Sequence, residues 1–246
     1  MKSIIRVGAA IAALLMLAAC ATKPAIPFDS SSAGEIKTIG ILTPSMPDEP
    51  SAILASSVGQ SFGLVGALID AGMQEARESD LEAILNSKQF VAHDKLIDGI
   101  TASLEAQGYT VRKVAVTRTE RDFMKAYPSS NTEKVDAYLD LVMSGYGYIA
   151  AGIASGTPYR PIVVTQVRLV SARDSSVLME DVVYYNRLNS SIETTNVTIS
   201  PDPAYSFPDF SDLEKPEQDG GRARRCLCEV HGSHRHIVAL NERRNR

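Results

Sequence analysis

Residues 162–186, IVVTQVRLVSARDSSVLMEDVVYYN, hold two β-rich runs, 162–171 and 177–186, on either side of a short polar turn. β-Branched and aromatic residues at this density, broken only by Arg, Asp and Ser, predict an antiparallel hairpin. A lone hairpin is marginal in water, so the chain must supply a larger sheet for it to join and a second layer to cover that sheet. No cysteine lies between Cys20 and Cys226. The body therefore has no disulfide, and apolar packing must hold it.

The rest of the body supplies the other elements. IKTIGILT (36–43) is a short apolar run stopped by Pro44, as expected of a buried strand. From Ala52 to Gln74 the chain carries no charge before Asp70, and Gly59, Gly63 and Ala67 recur every four residues. On a helix these small residues form one smooth stripe that lets another backbone approach closely. The stretch reads as a buried helix packed on the sheet, with a membrane-inserting or oligomer-forming segment over residues 52–72 as the alternative. A second helix follows, with Phe90, Leu96, Ile97, Ile100 and Leu104 near one face and Gly108 as its C-terminal cap. YTVRKVAVT (109–117) is a strand. VDAYLDLVM (135–143) alternates apolar and polar residues as a half-exposed strand does, and a Gly- and Tyr-rich loop carries it to the hairpin. The prediction is an α/β (α+β) domain over 36–213: a single mixed sheet of about five strands, helices packed on it, a C-terminal hairpin, and a disordered tail.

The first twenty residues, MKSIIRVGAAIAALLMLAAC, set a basic end (Lys2, Arg6) before an apolar stretch and small residues before a cysteine. This is a secretory signal, too short for a spanning helix. Leu17, Ala18, Ala19 and Cys20 resemble the lipobox of bacterial lipoproteins. That resemblance implies cleavage between Ala19 and Cys20, a diacylglycerol on the Cys20 thiol and an N-acyl chain such as palmitate. Ala21, where an aspartate would favour the inner membrane, implies anchoring to the periplasmic face of the outer membrane. Residues 1–19 are then the signal peptide and 20–35, rich in Pro, Ser and Ala, the lipidated cysteine and its tether. Over residues 20–221, 16 basic residues face 27 acidic ones, a net charge of −11 that argues against nucleic acid or anionic lipid surfaces as partners of the body.

Candidate chemistry is sparse. Gly59–Gly63 spells G-x-S-x-G around Ser61, but a serine hydrolase also needs an acid and a returning histidine. The body offers only His93, 32 residues later within a predicted helix, so it reads as a helix-surface residue. Asp136 and Asp140, four apart on a strand, would lie about 13 Å apart, too far to share a proton, and read as solvated acids. Tyr146, Tyr148 and Tyr159 could form a glycan- or small-molecule-binding surface. No phosphate loop or dinucleotide fingerprint occurs. The expectation is a protein that is not an enzyme and needs no cofactor beyond its covalent lipid.

Residues 214–246 form a basic tail in which positions 222–246 hold seven arginines and a net charge of +5. Cys226, Cys228, His231, His234 and His236 are ligand types for zinc, yet C-x-C with H-x2-H-x-H matches no common structural zinc frame. A disordered basic arm, or text read out of frame after about Gln218, accounts for the same aperiodic composition.

The order strand, helices, strand, strand, hairpin over residues 36–190 resembles the α/β domain shared by the curli-secretion lipoprotein CsgG, the penicillin-binding-protein activator LpoB and the N-terminal domain of TolB. IKTIGILTP after a lipoprotein tether, VDAYLDLVMSGYG and VRLVSARDSSVLMED carry the likeness. It implies a non-catalytic envelope lipoprotein that binds another envelope protein or self-associates. A secretion or pore component inserting residues 52–72, or a hydrolase at Ser61, are the competing expectations.

Overall fold

The computed structural model describes residues 25–28, 35–54, 63–150, 157–187 and 196–213, with backbone alone at 63–71 and 130–131. Its elements are β1 (Thr38–Leu42), β2 (Ser51–Leu54), α1 (Gly63–Ser87), α2 (Ala92–Glu105), β3 (Thr110–Val114), a one-turn helix at Ser130–Glu133, β4 (Ala137–Ala150), β5 (Arg160–Ser171), β6 (Val177–Tyr185) and β7 (Val197–Ile199). Two 3-10 turns, Pro203–Tyr205 and Phe210–Leu213, follow. All seven strands join one mixed sheet in the order β3-β1-β4-β5-β6-β7, with β2 also on β4. The expected mixed α/β class and single sheet hold, with seven strands in place of about five. Among the described residues no helix is long and apolar enough to cross a membrane.

The helices cover one face of the sheet. Leu81 and Leu85 from α1, and Leu96, Ile97, Ile100 and Leu104 from α2, bury against Ile39, Ile41, Leu139, Leu141, Met143, Val167 and Leu169. Alternate residues of β1, β4 and β5 share that face because a strand's side chains repeat every two residues. Both helices end in the same way. Tyr109 N–H donates to the Leu104 carbonyl and Gly108 N–H to Glu105, with Gly108 at φ +90°. Phe90 and Gln89 repeat this pair on Leu85 and Asn86, with Gln89 at φ +53°. These paired bonds satisfy the last carbonyls and turn the aromatic after each helix back onto the core. Gly108 is thus the cap that the sequence suggested.

Four expectations are corrected. Residues 51–54 are a strand, not the opening of a helix: once β1 has ended, the second half of β4 has a free edge, and β2 fills it in parallel at Gly147–Ala150. Residues 55–62, with Gly59 and Ser61, lie outside the described residues, as does any side-chain statement at Ala67. The strand expected at 135–143 runs on to Ala150, through what was read as a loop, and it is not half-exposed but buried along nearly all its length. An irregularity between Met143 and Gly145 breaks the alternation, so a single-period reading stops there. Residues 197–199, where the sequence reading placed no strand, form β7 parallel to β6. Finally, the tether is tied down at Ile26, whose N–H and carbonyl pair with the backbone of Glu180. In the hairpin turn Ser175 sits at φ +61°, the left-handed region that favours glycine, and the Asp174 carboxylate accepts from Ser176 N–H and Oγ beside it. Residues 214–246 lie outside the described residues.

Candidate functional site

The face of the sheet turned away from the helices carries the buried charges. Register places Asp140 of β4 opposite Arg168 of β5, and Arg168 opposite Glu180 of β6. The three side chains therefore form a row across adjacent strands with alternating sign, the arrangement that favours cross-strand pairs. Arg168 Nε donates to Glu180 Oε2 at 2.8 Å, and its guanidinium lies 3.9 Å from the Phe123 ring centroid.

Residues 115–128 cross over this row as a strap and supply its other half. Arg118 donates to Asp140 Oδ1, to the Thr43 carbonyl at 2.6 Å and to the Asp122 carbonyl at 3.0 Å. Asp140 Oδ2 accepts from Met124 N–H at 2.8 Å and from the Tyr127 hydroxyl at 3.2 Å. Asp140 is fully buried and the Arg118 side chain is 9% exposed. A small apolar cluster of Leu42, Val114, Val135 and Tyr138 packs beside the row, and Tyr127 stacks on Tyr138 at 6.0 Å. Two carboxylates and two guanidiniums thus balance, and both oxygens of Asp140 are engaged. Chemically the set can hold the strap on the sheet; a free carboxylate able to take a proton from a substrate is not offered by Asp140.

Burial, and then the Asp140 charge, push the Tyr127 hydroxyl up to about 12. Burial works against the Arg168 charge, but hydrogen bonds to Glu180 and Tyr127 outweigh it and hold that guanidinium above its ordinary value. Because the folded state keeps the Tyr127 proton more tightly than the unfolded chain, this contribution is complete below about pH 10 and is lost as pH rises toward 12. Tyr127 is partly solvated, so the expected loss is discounted to about 1 kcal/mol. Urea unfolding at pH 9 and 11.5 tests this: Tyr127→Phe should lose less stability between the two than the wild type, and equal losses would refute the assignment.

The other sequence candidates fall as follows. Asp140 was read as a solvated acid and is instead the buried centre of the row. The strap covers a face that strand alternation alone assigns to water. Asp136 does lie exposed, and its Oδ2 accepts from Lys37 and Thr38 N–H at 2.9 and 2.8 Å, tying the start of β1 to β4. His93 sits on the surface of α2 beside Asp94, as expected. Tyr146, Tyr148 and Tyr159 do not form a binding surface: each is at most 7% exposed. The shift after Met143 turns Tyr146 and Tyr148 toward the helix side, and Tyr148 and Tyr159 meet Phe207 and Phe210 edge-on at 5.8 and 5.4 Å. Among the described residues no three His, Cys, Asp or Glu side chains gather to hold a metal; Cys20, Ser61, Cys226, Cys228, His231, His234 and His236 lie outside them. Sequence reasoning missed Arg118, Tyr127, Arg168 and Glu180. A signal existed for two of them: Arg168 and Glu180 are charges inside apolar strands, equally spaced from Asp174 at the centre of the hairpin.

No family model and no curated protein matches the chain. Among solved structures it is similar to protein XCC0632 from Xanthomonas campestris, of the DUF330 family (9% identity, TM-score 0.40, covering 90% of this chain and 89% of that one). It is also similar to the PelC dodecamer from Paraburkholderia phytofirmans (9%, 0.33, 89% and 94%) and to lipoprotein GNA1162 from Neisseria meningitidis (15%, 0.29, 63% and 88%). None of the three is CsgG, LpoB or TolB, so these likenesses add nothing to that resemblance. The class is defined by the fold itself: an α/β protein with one seven-stranded mixed sheet, helices on one face and a charge-locked strap on the other.

Proposed function

We propose that this chain is a non-catalytic, lipid-anchored lipoprotein of the bacterial envelope, held on the periplasmic face of the outer membrane, where it binds another envelope protein or a second copy of itself. The observation that carries the reading is the sequence Leu17–Ala18–Ala19–Cys20 at the end of an apolar signal. Several buried acyl chains, at about 0.8 kcal/mol per methylene, make such anchoring effectively permanent. The site supports the non-catalytic part. Its buried charges neutralise one another and satisfy backbone groups of their own strap, which is how a structural network is built.

Labelled palmitate fed to expressing cells tests the anchor. The wild-type chain should take up label and start at Cys20 by mass, and Cys20→Ser should take up none and leave the membrane fraction. Label retained by Cys20→Ser, or a mature chain starting elsewhere, would overturn the reading. Sedimentation of the detergent-solubilised protein tests assembly: a monomer at every concentration tried leaves a partner protein as the binding function and removes self-association.

A further inference from the structure

A free tether over residues 20–35 would let the domain hang at any angle to the membrane. Backbone pairing removes that freedom. Ile26 N–H donates to the Glu180 carbonyl at 2.7 Å, and Glu180 N–H donates back to Ile26 at 3.0 Å. This antiparallel bridge adds the segment to the outer edge of β6, since β5 already occupies the inner one. It lies just short of β7, which pairs with β6 at Val183–Tyr185. Phe28 packs onto the main core. Farther along the sequence, Arg173 in the hairpin turn meets Glu35 at 3.0 Å. That last pair is exposed and adds little; the backbone bridge and Phe28 are the firm contacts.

Only five residues lie between Cys20 and Ile26, so the six steps reach at most about 22 Å even when fully extended. We infer that the domain sits on the bilayer holding its own anchor with the Ile26–β6–β7 edge of the sheet toward the lipid headgroups and the β3 edge away from them. The occupant of this edge is the phospholipid surface, because Cys20, which bears the acyl groups, can lie no farther from Ile26 than that reach. Ile26 is itself 37% exposed on that edge. Five strand spacings separate β7 from β3 in the sheet order, so the far edge stands about 24 Å farther from the surface. The inference rests on the lipidation of Cys20 proposed above.

The test uses the mature lipidated protein with Cys226→Ser and Cys228→Ser, in phosphatidylethanolamine–phosphatidylglycerol vesicles carrying a headgroup-linked energy acceptor. A donor dye is placed through Thr198→Cys on β7 or Lys113→Cys on β3, both exposed positions. Given the difference in height, transfer from position 198 should exceed that from 113 by about threefold. Ile26→Pro, which removes the N–H of the bridge, should bring the two together while the circular dichroism stays that of the wild type. Equal transfer in the unmutated background, or a difference that Ile26→Pro leaves intact, overturns the docked orientation. Mass spectrometry of the same sample separates the two claims: acylated protein with equal transfer defeats the orientation alone, and unacylated protein defeats the anchor and the orientation together. Amide exchange at Ile26 in the full Cys20→Ser chain checks the bridge without any lipid. Slow exchange is expected there, and exchange at the random-coil rate overturns the orientation.

Discussion

Replacing Asp140 with alanine is expected to destabilise the fold by about 3–5 kcal/mol, the usual cost of breaking a buried ion pair from one side. The carboxylate is fully buried and accepts from Arg118, Met124 N–H and the Tyr127 hydroxyl. Without it, Arg118 keeps its carbonyl partners at Thr43 and Asp122 but loses its counter-charge, and a backbone N–H is left without an acceptor. Asp140→Asn preserves shape and one acceptor oxygen, so its loss should be smaller. Removing both charges is a different matter, because the desolvation cost of the pair disappears with them. Asp140→Leu combined with Arg118→Met should recover at least half of the single-mutant loss. Urea unfolding of these three variants beside the wild type decides the matter. A loss below about 1 kcal/mol for Asp140→Ala would mean that the strap is held by its apolar contacts and that the charge row is incidental.

The same residue shows how far the sequence could be read. The alternation through residues 135–143 located β4, and its apolar residues Leu139, Leu141 and Met143 do enter the main core. What it could not show was that β3 ends at Val114, short of the 117 expected, and that residues 115–128 fold back over the opposite face. Local pattern reports which face is apolar, and a strap that brings its own guanidinium can bury the polar face as well. The hairpin was legible because its determinants, β-branched runs and a polar turn, are all local. β2 and β7 were not: three or four residues carry little pattern, and their strand character comes from the free edges of β4 and β6 that they fill. The Ile26 bridge was hidden for the same reason, inside a stretch whose Pro and Ser content reads as linker. The charge row lay between these cases, since turn-centred pairing of Arg168 with Glu180 follows from the hairpin alone, whereas Arg118 arrives from a distant loop.

Gly147→Ala is expected to have an effect of similar size by a different route. Glycine inside a strand marks a bulge or a close backbone approach, and here it marks the approach. Gly147 sits at φ +142°, and a Cβ added there would overlap the Ser51 carbonyl oxygen and lie 2.7 Å from the Ser51 nitrogen. Both atoms are backbone, so no side-chain rotation relieves the clash, and β2 must leave β4. Among the described residues no second strand pairs with β2; its outer edge rests on side chains of α1, through Ala52 N–H to Glu78 Oε1 at 3.4 Å and Arg77 Nε to the Ala52 carbonyl at 3.5 Å. Losing the pairing therefore frees residues 51–54, while the bridge of Ser45 to β4 still holds the chain just after β1. With the backbone strain included, the expected cost is at least about 3 kcal/mol. Gly145→Ala is the internal control, since nothing lies within 4 Å of a Cβ added there, and it should cost under about 1 kcal/mol. Hydrogen exchange gives the sharper readout: in Gly147→Ala the amides of residues 51–54 should lose protection while those of β5 keep theirs. If residues 51–54 stay protected at wild-type stability, the close parallel approach of β2 to β4 is wrong, and with it the reason a glycine stands in the middle of the longest strand.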